Sequence, residues 1–193
     1  MDILHDSAQA FFRLLDYEYD VVIGRKGQSI AFTIAFDKSH FHHLAGLHKM
    51  RDMPMLSRGK RERIFDHILS GKMTQAQVEK SIFFQENIRR LEHVAQLESL
   101  LDNNRLIFRY LPQKAGFSKI QADFVLEHQL DAQIFYLFLI GEAGGQRQIC
   151  TSFFPKEHMD YTKGQSKYTL LKKVKRNIRT GECMIQVNRL SPK

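Results

Sequence analysis

The chain has 193 residues, of which 43% are hydrophobic and 26% charged, a composition typical of a globular domain and not of a disordered or fibrous protein. Lys and Arg outnumber Asp and Glu by 29 to 21, and the resulting net charge of +8 at pH 7 favours binding to polyanions such as nucleic acid. No apolar run approaches the roughly 18 residues of a membrane span, and the start MDILHDSAQAFF lacks the features of a signal peptide. We therefore expect a cytoplasmic protein with no membrane partner. The two cysteines, Cys150 and Cys183, have no CxxC spacing and predict neither a disulfide framework nor a thiolate metal site.

The first half of the chain is predicted to be helical around one β-hairpin. Apolar residues at helical intervals predict a helix over 3–16, and alternating apolar residues in 19–36 predict two strands joined by a turn at 25–28. FHHLAGLHKM (41–50) has the spacing of an amphipathic helix. A largely helical segment follows at about 58–102 and ends before Asn103 and Asn104.

The second half is predicted to be a sheet. IFYLFLI (134–140) is apolar on both faces and predicts a central strand, while GEAGGQ (141–146) predicts a hairpin turn. The fold class expected is α+β, with N-terminal helices and a β-hairpin followed by a helical segment and a mainly antiparallel sheet. The six strands are predicted at 105–109, 118–126, 133–140, 147–154, 168–176 and 182–188.

The histidines of 40–48 suggest chemistry, because a buried imidazole needs a hydrogen-bond partner and a helix packed only for its core would avoid it. A metal site is disfavoured, since HExxH is absent and His40 with His43 supply two ligands at most. His42 and His43 lie about 100° apart on a helix. The two are therefore not expected to face the same site, and the sequence leaves open which of them faces a cleft.

Four segments together resemble one nuclease family. They are F-x-HL-x-GLHK within 41–50, YDVVIGRKG at 19–27, TSFFP at 151–155 and DYTKGQSKYTLLKKVK at 160–175. From about Tyr19 to Arg176 the chain resembles the fourth phage-associated family of the Barnase/EndoU/colicin/RelE-like nuclease superfamily. The resemblance implies one nuclease domain over residues 1–193, with a core of an N-terminal helix and a four-stranded antiparallel sheet. It also implies an origin in phages, prophages or mobile elements.

The activity implied by the resemblance is a metal-independent endoribonuclease, a toxin or defence effector that needs no cofactor. Cleavage by attack of the RNA 2′-hydroxyl requires a base, an acid and cations for the phosphorane charge. On the family's motifs, His43 is the acid-base residue and Ser152 a donor to phosphate oxygen. On the last basic strand, where Lys173 and Lys175 share a face, Lys173 is the candidate transition-state cation. The expected partners are RNA and a cognate inhibitor or immunity protein. The expected substrate contacts are Lys49, Tyr161, Lys175 and Arg176.

Each assignment has an alternative, which for His43 is a surface or hydrogen-bonded helix histidine. A strand hydroxyl such as that of Ser152 often bonds locally, lysines such as Lys173 protect solvated edge strands, and a loop tyrosine such as Tyr161 often packs onto a sheet. The two basic runs, 49–63 and 167–179, are equally explained as solvated faces. The alternative function is therefore a non-catalytic nucleic-acid-binding or regulatory module. Base specificity and oligomeric state stay open.

Overall fold

The computed structural model describes residues 2–116, 118–130, 132–142 and 145–190. Within these ranges seven α-helices and eight strands are divided between two compact units. The helical unit comprises residues 1–15 and 37–98, and the barrel unit comprises 16–36 and 99–193. None of the helices in the described ranges combines the length and the apolar character needed to cross a membrane.

The helices are α1 (Ile3–Leu14), α2 (Lys38–Leu44), α3 (Pro54–Ser57), α4 (Arg61–Leu69), α5 (Gln75–Val78), α6 (Phe84–Val94) and α7 (Leu97–Asn103). Two short 3₁₀ turns cover Leu47–Lys49 and Pro112–Lys114. The strands are β1 (Tyr17–Arg25), β2 (Gln28–Ala35), β3 (Leu106–Arg109), β4 (Phe124–Leu130), β5 (Gln133–Gly141), β6 (Arg147–Pro155), β7 (Ser166–Asn177) and β8 (Cys183–Asn188).

Three phenylalanines form the centre of the helical unit. Phe11 of α1, Phe41 of α2 and Phe65 of α4 are fully buried. Their ring centroids lie 5.7 Å apart for Phe11 and Phe41, and 5.1 Å apart for Phe41 and Phe65. Burying a ring of this size stabilises the fold by about 1.5–3 kcal/mol, so these contacts fix α2, which carries the histidines, against α1 and α4.

In its second part, the largely helical segment predicted at about 58–102 is divided into α5, α6 and α7. At the first break the Ser81 hydroxyl and the Ile82 backbone N–H donate to the Asp52 carboxylate at 2.7 and 2.9 Å. This carboxylate satisfies donors at a helix start, so the backbone turns there and α6 begins two residues later. Asp52 lies 29 residues earlier in the chain, and for this reason the local pattern did not reveal the break.

The sheet of the barrel unit closes on itself. Within the described residues the strands follow the order β1-β2-β6-β5-β4-β3-β7, and β7 also pairs with β1, so that seven strands form a ring while β8 is an extra strand beside β7. β2 and β6 pair in parallel, and the other pairs are antiparallel. The expected class, α+β, is correct, but the expected mainly antiparallel sheet is wrong, because the strands close into a mixed barrel. Closure depends on β1 pairing with a strand about 150 residues away, and local sequence carries no signal for such pairing.

Several strands lie close to their predicted positions. The β1–β2 turn places Lys26 at φ 51° and Gly27 at φ 79°, as a two-residue type I′ hairpin requires. β4 begins only at Phe124, so 118–123 of its predicted range are not strand. β5 is buried on both faces over Phe135–Leu139. The turn predicted at 141–146 includes residues 143 and 144, which lie outside the described residues.

Candidate functional site

The backbone of α2 places three of the four neighbouring histidines together. At its start the Asp37 carboxylate accepts from the Ser39 N–H at 2.9 Å, and the His40 ring accepts from the Asp37 N–H at 3.1 Å, so His40 serves as part of a capping box. At its end Gly46 has φ 74°, a left-handed conformation that favours glycine. The predicted 41–50 helix thus stops at Leu44, and the chain reverses into the 3₁₀ turn.

This reversal stacks His48 on His43. Their ring centroids lie 4.0 Å apart with the planes 9° from parallel, and the His42 and His48 centroids lie 6.2 Å apart. We name His42, His43 and His48 the histidine cluster. In a continuous helix residues five apart lie on different faces, so the left-handed glycine is what permits the stacking.

His42 and His43 have different environments. The His42 side chain is 3% exposed, and its Nε2 lies 2.6 Å from the Leu56 carbonyl oxygen. Because a carbonyl only accepts, Nε2 carries the proton, and the buried Nδ1 is an acceptor that has no partner among the described residues. His43 is half-buried. His42 is therefore held as a packing residue, whereas His43 is the accessible one.

The cluster is surrounded by cations. The pKa of His43 is lowered by burial, the largest cause, and then by Arg61, Arg90, His42 and Lys49. The pKa of His48 is lowered to about 3 by burial, then by the other two histidines, Arg90 and Lys49. No carboxylate contributes to either shift. At 4.0 Å two imidazolium charges would repel each other by roughly 4 kcal/mol at an effective dielectric constant of 20. Because both pKa values are lowered from the ordinary 6.5, both rings are neutral at pH 7, and the lone pair of His43 can accept a proton.

Helix α6 brings Arg90 to this cluster by packing against Gly46. A Cβ on Gly46 would lie 2.9 Å from the Arg90 Cδ and 3.3 Å from the Asn87 Oδ1. Asn87 is buried and donates to the Phe83 carbonyl at 2.8 Å. Gly46 therefore has two functions, the left-handed turn and the close approach of α6.

In the barrel unit, Lys173 is a buried cation at the end of a helix. Its side chain is 4% exposed. The Nζ donates to the backbone carbonyls of Leu101, Asp102 at 2.9 Å and Asn104 at 3.2 Å. These carbonyls end α7, where the helix dipole favours a positive charge. Burial, followed by Arg105, lowers the pKa of Lys173 to about 7.

Lys175 points to the same face and is also engaged. Its Nζ lies 3.0 Å from the Asp102 carboxylate and 4.7 Å from the centre of the Tyr17 ring. Asp102 also accepts from the Tyr19 hydroxyl at 2.7 Å and from the Gln186 amide at 2.8 Å. Burial alone raises the pKa of Asp102, but these three hydrogen bonds together hold it below its ordinary value.

Arg176 projects from the opposite face of β7. Its guanidinium contacts the Glu18 carboxylate at 2.8 Å and the Asp20 carboxylate at 3.3 Å. Two carboxylates on β1 thus offset the charge of this arginine.

Ser152 lies on the outer face of the barrel. β6 has an irregularity at Thr151, because Phe138 of β5 pairs with Ser152 whereas Leu139 pairs with Cys150. The extra residue changes the alternation, so buried Cys150 and Phe153 face inward, whereas half-buried Ser152 shares the outer side with Phe154. A regular strand would have put Ser152 on the same face as Cys150.

Tyr161 packs onto that outer face. Its ring meets the rings of Tyr136, Phe138 and Phe154 at 5.4, 5.3 and 5.5 Å. It belongs to an apolar cluster of β3 to β6 and stays half exposed.

The predicted site residues are therefore distributed. His43 and Lys49 lie in the helical unit with His48, whereas Ser152 and Lys173 lie in the barrel unit and point to opposite faces of the sheet. Within the described residues no three His, Cys, Asp or Glu side chains are grouped as a metal site requires. Sequence reasoning missed Arg61 and Arg90. Arg61 lies within the 49–63 basic run, which could have indicated it, whereas no local sequence pattern connects Arg90 to the histidines.

Comparison with known proteins identifies a nuclease family. The family model described as "phage-Barnase-EndoU-ColicinE5/D-RelE like nuclease4" matches residues 3–190. No curated protein and no solved structure matches the chain.

Proposed function

The chain belongs to this phage-associated Barnase-EndoU-ColicinE5/D-RelE like nuclease family, and from that membership we propose that it is a metal-independent endoribonuclease whose reaction takes place at the histidine cluster. One observation carries the choice of site: two stacked neutral imidazoles lie among three cations. Cleavage of a phosphodiester needs a base and positive charge for the phosphorane, and this cluster supplies both.

In this proposal His43 is the base. It takes the proton of the RNA 2′-hydroxyl, the 2′-oxygen forms a bond to phosphorus, and the bond from phosphorus to the 5′-oxygen breaks. The products are a 2′,3′-cyclic phosphate and a 5′-hydroxyl, the latter protonated by solvent. A base with a pKa near 3 accepts a proton poorly, so His48 orients the ring of His43. Buried His42 supports the turn.

The cations Lys49, Arg61 and Arg90 have the role of stabilising the phosphorane. All three already lower the pKa of His43, which means that their positive charges act on this ring. An arriving phosphodiester brings negative charge, and it therefore eases protonation of His43 as the reaction proceeds. Lys173 then has a structural role at the end of α7.

The wider biological role follows from the chemistry. An enzyme that cuts RNA harms the cell that contains it, so we propose a toxin or defence effector of phage or mobile-element origin, acting in the cytoplasm with a cognate inhibitor. The net charge of +8 supports RNA as the substrate, since a polyanion is attracted over long distances.

One observation favours a second candidate, a non-catalytic nucleic-acid-binding or regulatory module. Ser152 and Lys173 point to opposite faces of the sheet, so they do not form one catalytic group. A binding module would retain RNA through its net charge but would release no cleaved product.

The experiment uses purified protein and a labelled RNA, with a matched RNA that contains one deoxyribose. We expect cleavage at ribose linkages, persistence in excess chelator and cyclic phosphate ends, because the 2′-hydroxyl is the nucleophile. His43→Ala should lower the rate by about 10²- to 10⁴-fold. His67→Ala, at another half-buried histidine of the helical unit, is the control and should retain the rate.

Three results would contradict the proposal. Cleavage at the deoxyribose linkage would exclude the 2′-hydroxyl as nucleophile, and loss of activity in chelator would indicate a metal site. Binding of RNA without any cleavage by the wild type would favour the binding module.

A further inference from the structure

A groove on the barrel unit carries two lysines beside an aromatic slot. The groove has a volume of about 450 Å³, and the slot has a volume of about 160 Å³. His158 and Met159 line both, so the two cavities adjoin. The groove is lined further by Lys114, Lys163 and Asp160, and the slot by Phe154, Glu157 and Tyr161.

Hydrogen bonds fix the two loops that form the groove, one carrying Lys114 and the other Lys163. Gln165 is 9% exposed, and its side chain both donates to the Leu111 carbonyl and accepts from the Leu111 N–H, each at 3.0 Å. The Asp160 carboxylate accepts from the backbone N–H groups of Thr162 and Lys163 at 3.0 and 3.1 Å. A ligand therefore meets a formed surface, and little affinity is lost to ordering it.

The groove presents positive charge. The exposed Lys114 ammonium donates to the Gly164 carbonyl at 3.0 Å, which orients it and uses one of its three donors. Lys163 is exposed as well. Asp160 adds little negative charge to the groove, because Lys156 lies 2.7 Å from its carboxylate. The same hydrogen bond from Lys156 is the main cause that lowers the pKa of Asp160.

The slot presents flat and polarisable surface. Tyr161 is held by the neighbouring aromatic rings at fixed angles, and Met159 is 41% exposed. Every nucleobase has a π face that stacks on an aromatic ring. The Glu157 carboxylate lines the slot and can accept hydrogen bonds from the amino groups on base edges.

We propose that this groove binds one nucleotide of single-stranded RNA. The base lies in the slot against Tyr161 and Met159, and the phosphate lies between Lys114 and Lys163. The inference takes RNA as the ligand from the proposed function, and it adds a subsite that contains none of the residues of the histidine cluster.

The test measures binding of a fluorescent octanucleotide of 2′-O-methyl RNA, which 2′-hydroxyl attack cannot cleave, over a range of salt concentrations. For Lys114→Gln/Lys163→Gln we expect weaker binding and a salt dependence that is flatter by about 0.7 per lost phosphate contact. The control Lys26→Gln/Arg189→Gln removes the same charge from two other exposed residues of the barrel unit and should bind more tightly than the groove variant. Met159→Asp should lower affinity about tenfold through lost stacking and added negative charge.

The outcomes separate this subsite from the cleavage site. If the groove variant binds like its control, or Met159→Asp binds like the wild type, the subsite is refuted whether or not the protein cuts RNA. The subsite is refuted as well if the wild type does not bind the octanucleotide. If affinity falls as expected while His43→Ala still cleaves RNA, the subsite stands and the catalytic assignment fails. Met159 is exposed, so Met159→Asp decides the matter if the lysine variant is unstable.

Discussion

Replacing Lys173 with Met should destabilise the protein and leave the chemistry intact. The ammonium donates to three carbonyls at the end of α7, while burial, followed by Arg105, lowers its pKa to about 7, so the buried charge is itself costly. Lys173→Met removes both the donor and the charge. A buried polar group left without its partner costs about 1–3 kcal/mol. We therefore expect a net loss of about 2 kcal/mol in the free energy of unfolding.

The same residue gives a pH signature. Below pH 7 the lysine is protonated in both the folded and the unfolded state. Between about pH 7 and 10.5 the folded state loses this proton while the unfolded chain keeps it, so the unfolding free energy should rise with pH by about 1.4 kcal/mol per pH unit. Lys173→Met should lack this part of the rise.

The assay is urea unfolding of the wild type, Lys173→Met and Lys172→Met at several pH values, combined with the RNA cleavage rate. Lys172 is the neighbouring half-exposed lysine, and its substitution should change the unfolding free energy by less than about 0.5 kcal/mol. If Lys173→Met unfolded like Lys172→Met but no longer cleaved RNA, the structural role would be refuted and Lys173 would be the transition-state cation.

Two further predictions concern the histidine cluster. Burial and then Arg61 lower the pKa of His43, so Arg61→Gln should raise that pKa. Since a base must be unprotonated to act, the acid limb of the pH–rate profile should move to higher pH. Arg63→Gln on the same helix is the control, and equal shifts in the two variants would contradict the assignment. Gly46→Ala should cost about 1–2 kcal/mol for its positive φ and lower cleavage by displacing Arg90. Gly71→Ala is the control, because Gly71 also has a positive φ of +71° but an added Cβ would meet nothing within 4 Å. This control should lose stability and keep normal cleavage. Equal activity in the two glycine variants would show that Arg90 has no role in the reaction.

Local spacing was enough to predict much of the secondary structure. α1 and the β1–β2 hairpin, with its Lys26-Gly27 turn, follow from periodicity and turn chemistry within a few residues. β5 is buried on both faces, as its uninterrupted apolar run indicates. The HL-x-GLHK element and three other segments were also sufficient to identify the family that the comparison supports. Each of these features depends on residues that are neighbours in the chain.

The arrangement of the side chains was decided by contacts between distant parts of the chain. The ring of strands closes only because β1 pairs with β7. The helical segment predicted at about 58–102 is broken where Ser81 and Ile82 donate hydrogen bonds to Asp52. Arg90 reaches the histidines through the packing of α6 on Gly46, and Lys173 finds its carbonyl partners about 70 residues earlier in the chain. The local sequence around a strand lysine does not distinguish whether its ammonium contacts phosphate, water or the end of a helix. Sequence therefore determined which chemical groups the protein has, and tertiary packing determined which of them stand next to one another.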